Sequence, residues 1–98
     1  MTWQDRKKLN RENAEALALQ VLTFLLTEPE RTSRFLALTG ASLADLRQDA
    51  LAPELQTSAL DYLLSDESLL LMFCQEAGVQ PETVAPAYAL LGGTAFND

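Results

Sequence analysis

The segment 66–78 reads DESLLLMFCQEAG and contains the longest uninterrupted apolar run of the chain, residues 69–74. An acidic residue that can cap a helix precedes the run, and a glycine that can end a helix follows it. The run is apolar on all sides of a helix, which is typical of a buried helix. We therefore expect a buried helix over 67–77 at the centre of the fold. Six apolar residues are far fewer than the ~20 that span a bilayer, so we expect no membrane partner.

Capping residues, glycines and prolines likewise mark where the other helices start and end. Asn10 and Ser42 are predicted caps, Gly40 and Gly78 are predicted left-handed ends, and Pro86 is expected to bend or delay the last helix. The helical spacing predicts that Phe35 and Leu38 are buried in the second helix. The predicted helices are about 10–26, 29–39, 43–51, 54–65, 67–77 and 81–91.

These helices account for nearly the whole chain. Alternation of period two does not persist anywhere, and β-branched residues are sparse, so no strand is expected. The prediction is an all-α protein, a compact orthogonal bundle of about six short helices. We expect residues 1–98 to form a single helical domain, with 1–9 as an N-terminal segment that can fray and 93–98 as a tail.

The chain also contains an internal repeat. An offset of 38 residues aligns 21–46 with 59–84 and gives five identities in 26 positions: Leu22, Leu25, Leu26, Phe35 and Gly40 align with Leu60, Leu63, Leu64, Phe73 and Gly78. Each half has a helix ending in aromatic-Leu-Leu, a capping step, a second helix with one phenylalanine, and a glycine. The pattern indicates two pseudo-repeated three-helix halves. The alternative is two ordinary helix pairs that share common cap chemistry.

Charge is distributed unevenly along the 98 residues. Residues 1–47 contain seven basic and six acidic residues, a net charge of +1, whereas 48–98 contain eight acids and no base, which gives −8 and an overall charge of −7. An acidic half repels phosphate backbones, so nucleic-acid binding is not expected as the main function. The segment 34–47 resembles a helix-turn-helix, but Arg47 and Gln48 alone are suited to reading bases there, beside two aspartates.

The residue types needed for catalysis are scarce. The sequence has no histidine, which removes the commonest general base and metal ligand. Cys74 is the only cysteine, lies in the most apolar segment, and is expected to be a buried structural thiol. No glycine-rich phosphate loop or metal-ligand spacing is present. We expect no enzymatic activity, no cofactor and no metal, and the lack of a possible disulfide, with no signal peptide, indicates a cytoplasmic protein.

The function that these observations favour is a protein-interaction module, with a homodimer as the simplest partner arrangement. Trp3 either folds back onto the core or anchors a partner, and Arg31 with Arg34 either clamps an anion or makes surface contacts. The apolar residues that lie off the predicted core stripes are candidate anchors of an interface: Trp3, Leu19, Leu36, Leu51 and Phe96. The alternatives are a nucleic-acid-associated regulator, which would use the basic segment 6–11, and a small-molecule binder in the bundle core.

The order of several short motifs carries a resemblance to a known family. These are EALALQ at 15–20, PER at 29–31, RFLALTG at 34–40, DYLLSDE at 61–67 and LLLMFC at 69–74. In this order, over roughly residues 13–92, the chain resembles the bacterial domain of unknown function 3572. The resemblance implies a compact cytoplasmic bacterial protein without an assigned activity, and it supplies no catalytic residues.

Overall fold

The helices begin and end close to the predicted residues. The structure, a computed structural model, describes residues 10–49 and 52–92, apart from the side chain of Arg47. Every regular element in these ranges is helical, which confirms the predicted all-α fold. The elements are α1 (Arg11–Thr27), α2 (Pro29–Thr39), α3 (Leu43–Gln48), α4 (Pro53–Leu64), α5 (Glu67–Ala77), a 3₁₀ turn (Pro81–Thr83) and α6 (Val84–Leu90).

Side-chain caps fix where three of the helices start. The side chain of Asn10 accepts a hydrogen bond from the Asn13 amide at 2.7 Å, and that of Asp66 accepts one from the Leu69 amide at 3.2 Å. Ser42 and Asp45 exchange side-chain to backbone hydrogen bonds at 3.1 and 3.0 Å. The predicted capping box is therefore confirmed, with aspartate in the place of the usual glutamate.

Two glycines end α2 and α5 in the same way. Gly40 has φ 79° and Gly78 has φ 71°. Each donates its amide proton to the carbonyl four residues earlier, on Leu36 and Cys74, at 2.9 Å. A left-handed residue in this position satisfies a carbonyl at the helix end, and glycine adopts it without steric cost. Both predicted ends are confirmed.

Pro86 delays the start of α6, as predicted. The segment from Pro81 forms a 3₁₀ turn before the α-helix begins at Val84. Pro86 is then the third residue of α6. Amides in the first turn of a helix have no partner within it, so the missing N–H costs no backbone bond there.

Helix α1 lies at the centre of the core, packed against α2, α4 and α6, and α4 also packs against α6. Seven of its residues are buried: Ala14, Leu17, Ala18, Val21, Leu22, Phe24 and Leu25. The buried residues of the other helices join these in one apolar cluster. Helix α1 therefore occupies the centre of the bundle, where the helix over 67–77 was expected.

The prediction of a helix buried on all sides over 69–74 is wrong. Phe73 and Cys74 are buried, but Leu71 is 49% and Met72 42% exposed. Helix α5 packs against α4 and more lightly against α1 and the 3₁₀ turn, so it lies at the edge of the bundle. Because α1 and α4 already fill the centre, one side of α5 is left without a neighbour in the described part of the chain.

Two further expectations need correction. Leu38 was expected beside Phe35 in the core, but it is 70% exposed. Leu36 and Thr39, which are half-buried, lie on one side of Phe35 around the helix, and Leu38 lies on the other side. Helix α3 ends at Gln48, before the predicted residue 51, because the backbone of Asp49 is no longer helical, with φ −157° and ψ 84°.

Element bounds in the two proposed halves coincide at the offset of 38 residues. Helices α2 and α5 start at 29 and 67 and have the same length of 11 residues. Helix α3 and the 3₁₀ turn start at 43 and 81, also 38 apart. The halves differ after this point, because α6 packs against α1 and α4, whereas α3 makes no comparably extensive contact with any described helix.

Candidate functional site

The predicted site residues lie in different surroundings. Trp3 lies outside the described residues, as do the candidate anchors Leu51 and Phe96. Leu19 is exposed on α1, and Leu36 is half-buried and packed against the core. Of the expected anchors that the structure describes, only Leu19 is therefore available to a partner.

Arg31 is held at the junction of α1, α2 and α5. Its guanidinium lies over the ring of Phe24, 4.1 Å from the centroid. One terminal nitrogen, Nη1, donates to the Phe24 carbonyl at 3.0 Å, and the other, Nη2, to the sulfur of Met72 at 3.4 Å. A cation stacked on an aromatic ring and hydrogen-bonded at two points is a structural contact between these helices.

Arg34, one helical turn further along α2, is exposed. Within residues 10–49 and 52–92 its guanidinium has no hydrogen bond or ion pair. The contacts of Arg31 therefore do not extend to Arg34, and the anion clamp that combines the two stays a prediction.

The exposed side of α5 also departs from the predicted core. Leu71 and Met72 are consecutive and both exposed, about 100° apart around the helix, with the exposed residues Ser68 and Gln75 between them. Glu67 lies four residues before Leu71, and Glu76 lies four residues after Met72, and both glutamates are exposed. Residues four apart on a helix are neighbours on its surface. The arrangement is an apolar pair with a carboxylate one turn away on each side, which we name the α5 face (Glu67, Leu71, Met72 and Glu76).

A cleft of about 630 Å³ lies between the end of α2, helix α3 and the start of α4. Its walls include three carboxylates, on Asp45, Asp49 and Glu54. It opens at the surface, not in the bundle core where a small-molecule site was considered. The carboxylate of Asp45 is already bonded in the capping box, so it serves the start of α3.

Cys74 is buried beneath the α5 face, as predicted. Burial raises the pKa of its thiol above the ordinary value, and the nearby carboxylate of Glu82 raises it further. A thiol of raised pKa holds its proton at neutral pH and is a poor nucleophile. Among the residues that the structure describes, no three His, Cys, Asp or Glu side chains are grouped so that they could hold a metal ion.

Two residues were missed by the sequence reasoning. Arg11 was assigned to the basic N-terminal cluster, but its Nη1 donates to the Leu90 carbonyl at the end of α6, at 2.8 Å. A cation in the first turn of a helix opposes the macrodipole of that helix, and this was the available signal that it serves another element. Gln56 is buried in α4 among apolar residues, and nothing in the local sequence distinguishes it from an exposed glutamine.

Comparison with known proteins gives a family match but assigns no chemistry. No curated protein matches the chain, and no solved structure matches it. In the described part of the chain, no helix has the length and apolar character needed to cross a membrane. A family model described as "Protein of unknown function (DUF3572)" matches residues 11–94, which is most of the sequence and agrees with the resemblance drawn from its motifs. The chain therefore belongs to the DUF3572 family.

Proposed function

We propose that this protein is a cytoplasmic, non-enzymatic module that binds other protein chains through an exposed helix face. The observation that carries the proposal is that the consecutive residues Leu71 and Met72 are both exposed on α5. Two large exposed apolar side chains on one helix, flanked by carboxylates, favour a binding surface over an ordinary solvated helix face.

The small size of this apolar pair limits the binding free energy that it can contribute alone. Burying the exposed half of one such side chain contributes about 1 kcal/mol. A micromolar complex needs about 8 kcal/mol, in addition to the cost of immobilising the partner. The partner must therefore supply a larger apolar anchor of its own, and it gains if its charge complements Glu67 and Glu76.

The non-enzymatic part of the proposal is supported by the chemistry available. The sequence has no histidine, and the single thiol is buried with a raised pKa. A free, buried cysteine agrees with a reducing compartment such as the cytoplasm, where thiols are kept reduced.

Binding of nucleic acid has less support, because two of the basic side chains are hydrogen-bonded within the protein. Arg11 is bonded to the Leu90 carbonyl and lies 3.7 Å from Glu15, and Arg31 is stacked on Phe24. A guanidinium held in this way is less able to contact a phosphate backbone. A small-molecule role is supported only by the open cleft with three carboxylates in its walls.

The test compares three forms of the protein as bait in affinity capture from a lysate of the source cells, with sedimentation of each in parallel. The forms are the wild type, the double variant Leu71→Glu with Met72→Glu, and the control Leu38→Glu, which alters an exposed leucine on α2. We expect the wild type and the control to self-associate or to retain the same protein, and the double variant to lose it. If the wild type neither self-associates nor retains any protein that depends on Leu71 and Met72, the proposal is wrong.

A further inference from the structure

The α5 face lies in an acidic part of the sequence. Residues 52–92 contain six acids and neither lysine nor arginine: Glu54, Asp61, Asp66, Glu67, Glu76 and Glu82. The nearest described cation is Arg31, whose Nη2 donates to the sulfur of Met72 while its guanidinium lies on Phe24. The face therefore offers two apolar side chains with carboxylates above and below, and a partner with an apolar anchor next to cations would complement it.

One segment of the chain itself has this composition. Residues 1–9, MTWQDRKKL, contain the only tryptophan of the protein and three consecutive cations, Arg6, Lys7 and Lys8. With Asp5 as the one acid, the side chains of the segment carry a net charge of +2. Trp3 precedes the cations by three to five positions, so one short segment combines the large anchor and the charge that the α5 face requires.

We propose that residues 1–9 of a second copy bind to the α5 face, and that two copies exchange these segments in a two-fold symmetric dimer. This proposal rests on the proposed function and names the partner for it. Trp3 contacts Leu71 and Met72, where a thioether beside an aromatic ring is favourable. Arg6, Lys7 and Lys8 lie near Glu67 and Glu76.

The length of the segment favours a second copy over the same one. Trp3 is seven residues before Asn10, which gives a reach of about 24 Å at full extension. Along α1, the rise from Arg11 to Phe24 is already about 20 Å. Phe24 contacts Phe73 on the buried side of α5, whereas Leu71 and Met72 lie on the exposed side of that helix. A segment of the same copy would have to be almost fully extended to reach them. For a second copy, the distance from its Asn10 to the α5 face is set by how the two copies pack, so the same reach can suffice.

Because Trp3 is the only tryptophan, its fluorescence reports directly on the proposed contact. The full-length protein is diluted from high to low micromolar concentration, and the emission maximum and the sedimentation coefficient are measured at each step. We expect a dimer in which Trp3 emission is shifted to shorter wavelength, and a parallel return to solvent-like emission as the dimer dissociates. The dimer should also weaken as salt rises to roughly a few hundred millimolar, because exposed charges are screened.

Three variants separate the proposed contact from other interfaces. Leu71→Glu with Met72→Glu should weaken the dimer by at least about tenfold and leave Trp3 exposed to iodide quenching. Lys7→Glu with Lys8→Glu should do the same through charge reversal. Leu38→Glu should change neither measurement. Far-UV circular dichroism and thermal unfolding check that each variant folds, because Met72 is exposed but also accepts a hydrogen bond from Arg31.

Each other outcome overturns the inference in a different way. A shifted Trp3 emission that does not depend on concentration, in a monomer, would place the segment on its own copy. If Trp3 emission in the dimer is unchanged by Leu71→Glu with Met72→Glu, the dimer forms through another surface. A protein that stays monomeric with solvent-exposed Trp3 would show that two copies do not bind each other. In the last two cases the affinity-capture comparison still decides separately whether the protein binds other chains through Leu71 and Met72.

Discussion

The ring of Phe24 packs edge to face against the ring of Phe73, with centroids 5.3 Å apart and planes at 69°. Phe35 and Tyr62 form a second pair with nearly the same geometry, 5.4 Å and 69°. At the offset of 38 residues, Phe24 corresponds to Tyr62 and Phe35 to Phe73. Each half of the chain therefore supplies the ring of its first helix to the second helix of the other half, which is the relation that a pseudo-two-fold axis between duplicated halves would produce.

If the halves are duplicated, the two aromatic pairs should contribute equally to stability. We expect a double-mutant cycle of Phe24→Leu and Phe73→Leu to give a coupling free energy of about 0.5–1.5 kcal/mol. The cycle of Phe35→Leu and Tyr62→Leu should give a value of the same size. Urea denaturation of the six variants measures both. Coupling in one pair and none in the other would contradict the symmetric relation.

The left-handed glycines should each be costly to replace. We expect Gly40→Ala and Gly78→Ala to lower the free energy of unfolding by about 1 kcal/mol each, because alanine is strained at positive φ. No heavy atom outside the neighbouring residues lies within 4 Å of a Cβ at either position, so the cost comes from the backbone alone. Gly78→Asn should cost less, since asparagine tolerates this conformation. Equal losses for asparagine and alanine would show that something other than backbone strain is responsible.

Cys74 should react with thiol reagents only when the protein opens. Its burial and raised pKa leave little exposed thiolate in the folded protein at neutral pH. Labelling by a maleimide should therefore be slow in buffer and fast in denaturant, with the rate following the unfolding transition. Fast labelling of the folded protein would contradict the placement of this side chain.

The raised pKa of Cys74 also gives a pH dependence with a definite sign. The folded state holds the thiol proton to higher pH than the unfolded state does. Between the ordinary cysteine pKa, about 8.5, and the higher folded value, the unfolded state binds fewer protons, so stability falls as pH rises. We expect Cys74→Ala to remove this part of the alkaline loss when melting temperatures are compared across pH. A loss that persists unchanged in the alanine variant belongs to other groups.

Arg31 and Arg34 provide a matched pair of arginines on one helix. We expect Arg31→Ala to destabilise the protein by about 1–2 kcal/mol, because it removes the stacking on Phe24 and two hydrogen bonds. Arg34→Ala, at an exposed site, should change stability by less than about 0.5 kcal/mol. Thermal unfolding of both variants measures the difference. Equal effects would mean that the contacts of Arg31 contribute nothing beyond its charge.

The bond from Arg11 to Leu90 should hold the end of α6. We expect Arg11→Ala to cost about 0.5–1.5 kcal/mol and to increase amide hydrogen exchange in the last turn of α6. Glu15→Ala is the control, since it removes only the exposed ion pair, which is worth little. If α6 exchanges equally fast in both variants, the Leu90 contact is not what stabilises it.

Local features of the fold could be predicted from the sequence because they depend on neighbouring residues. The cap of Asn10, the capping box of Ser42 and the end at Gly40 each involve groups within four residues. Pro86 delays the start of α6 because it lacks a backbone N–H. Interactions of this kind form within a single helical turn, so neighbouring residues are enough to predict them.

The surroundings of the site residues could not be predicted in this way. The apolar composition of α5 predicted that this helix packs against the core. Only the packing of α1 and α4 determines that Leu71 and Met72 stay exposed. Arg31 was assigned to the surface because arginine is seldom buried, yet the turn between α1 and α2 brings it over Phe24, seven residues earlier. Both outcomes depend on where helices meet, which helical periodicity does not specify.

The bond between Arg11 and Leu90 joins the first turn of α1 to the last turn of α6, so the two ends of the described bundle lie close together. A short linker could join these two ends, and the chain could be opened instead between α3 and α4, near residues 50–51. Such a circular permutant would begin with α4 and finish with α3, and the order of the two halves would be reversed. If it folds with the same caps and the same core, the arrangement of the bundle does not depend on which half is synthesised first.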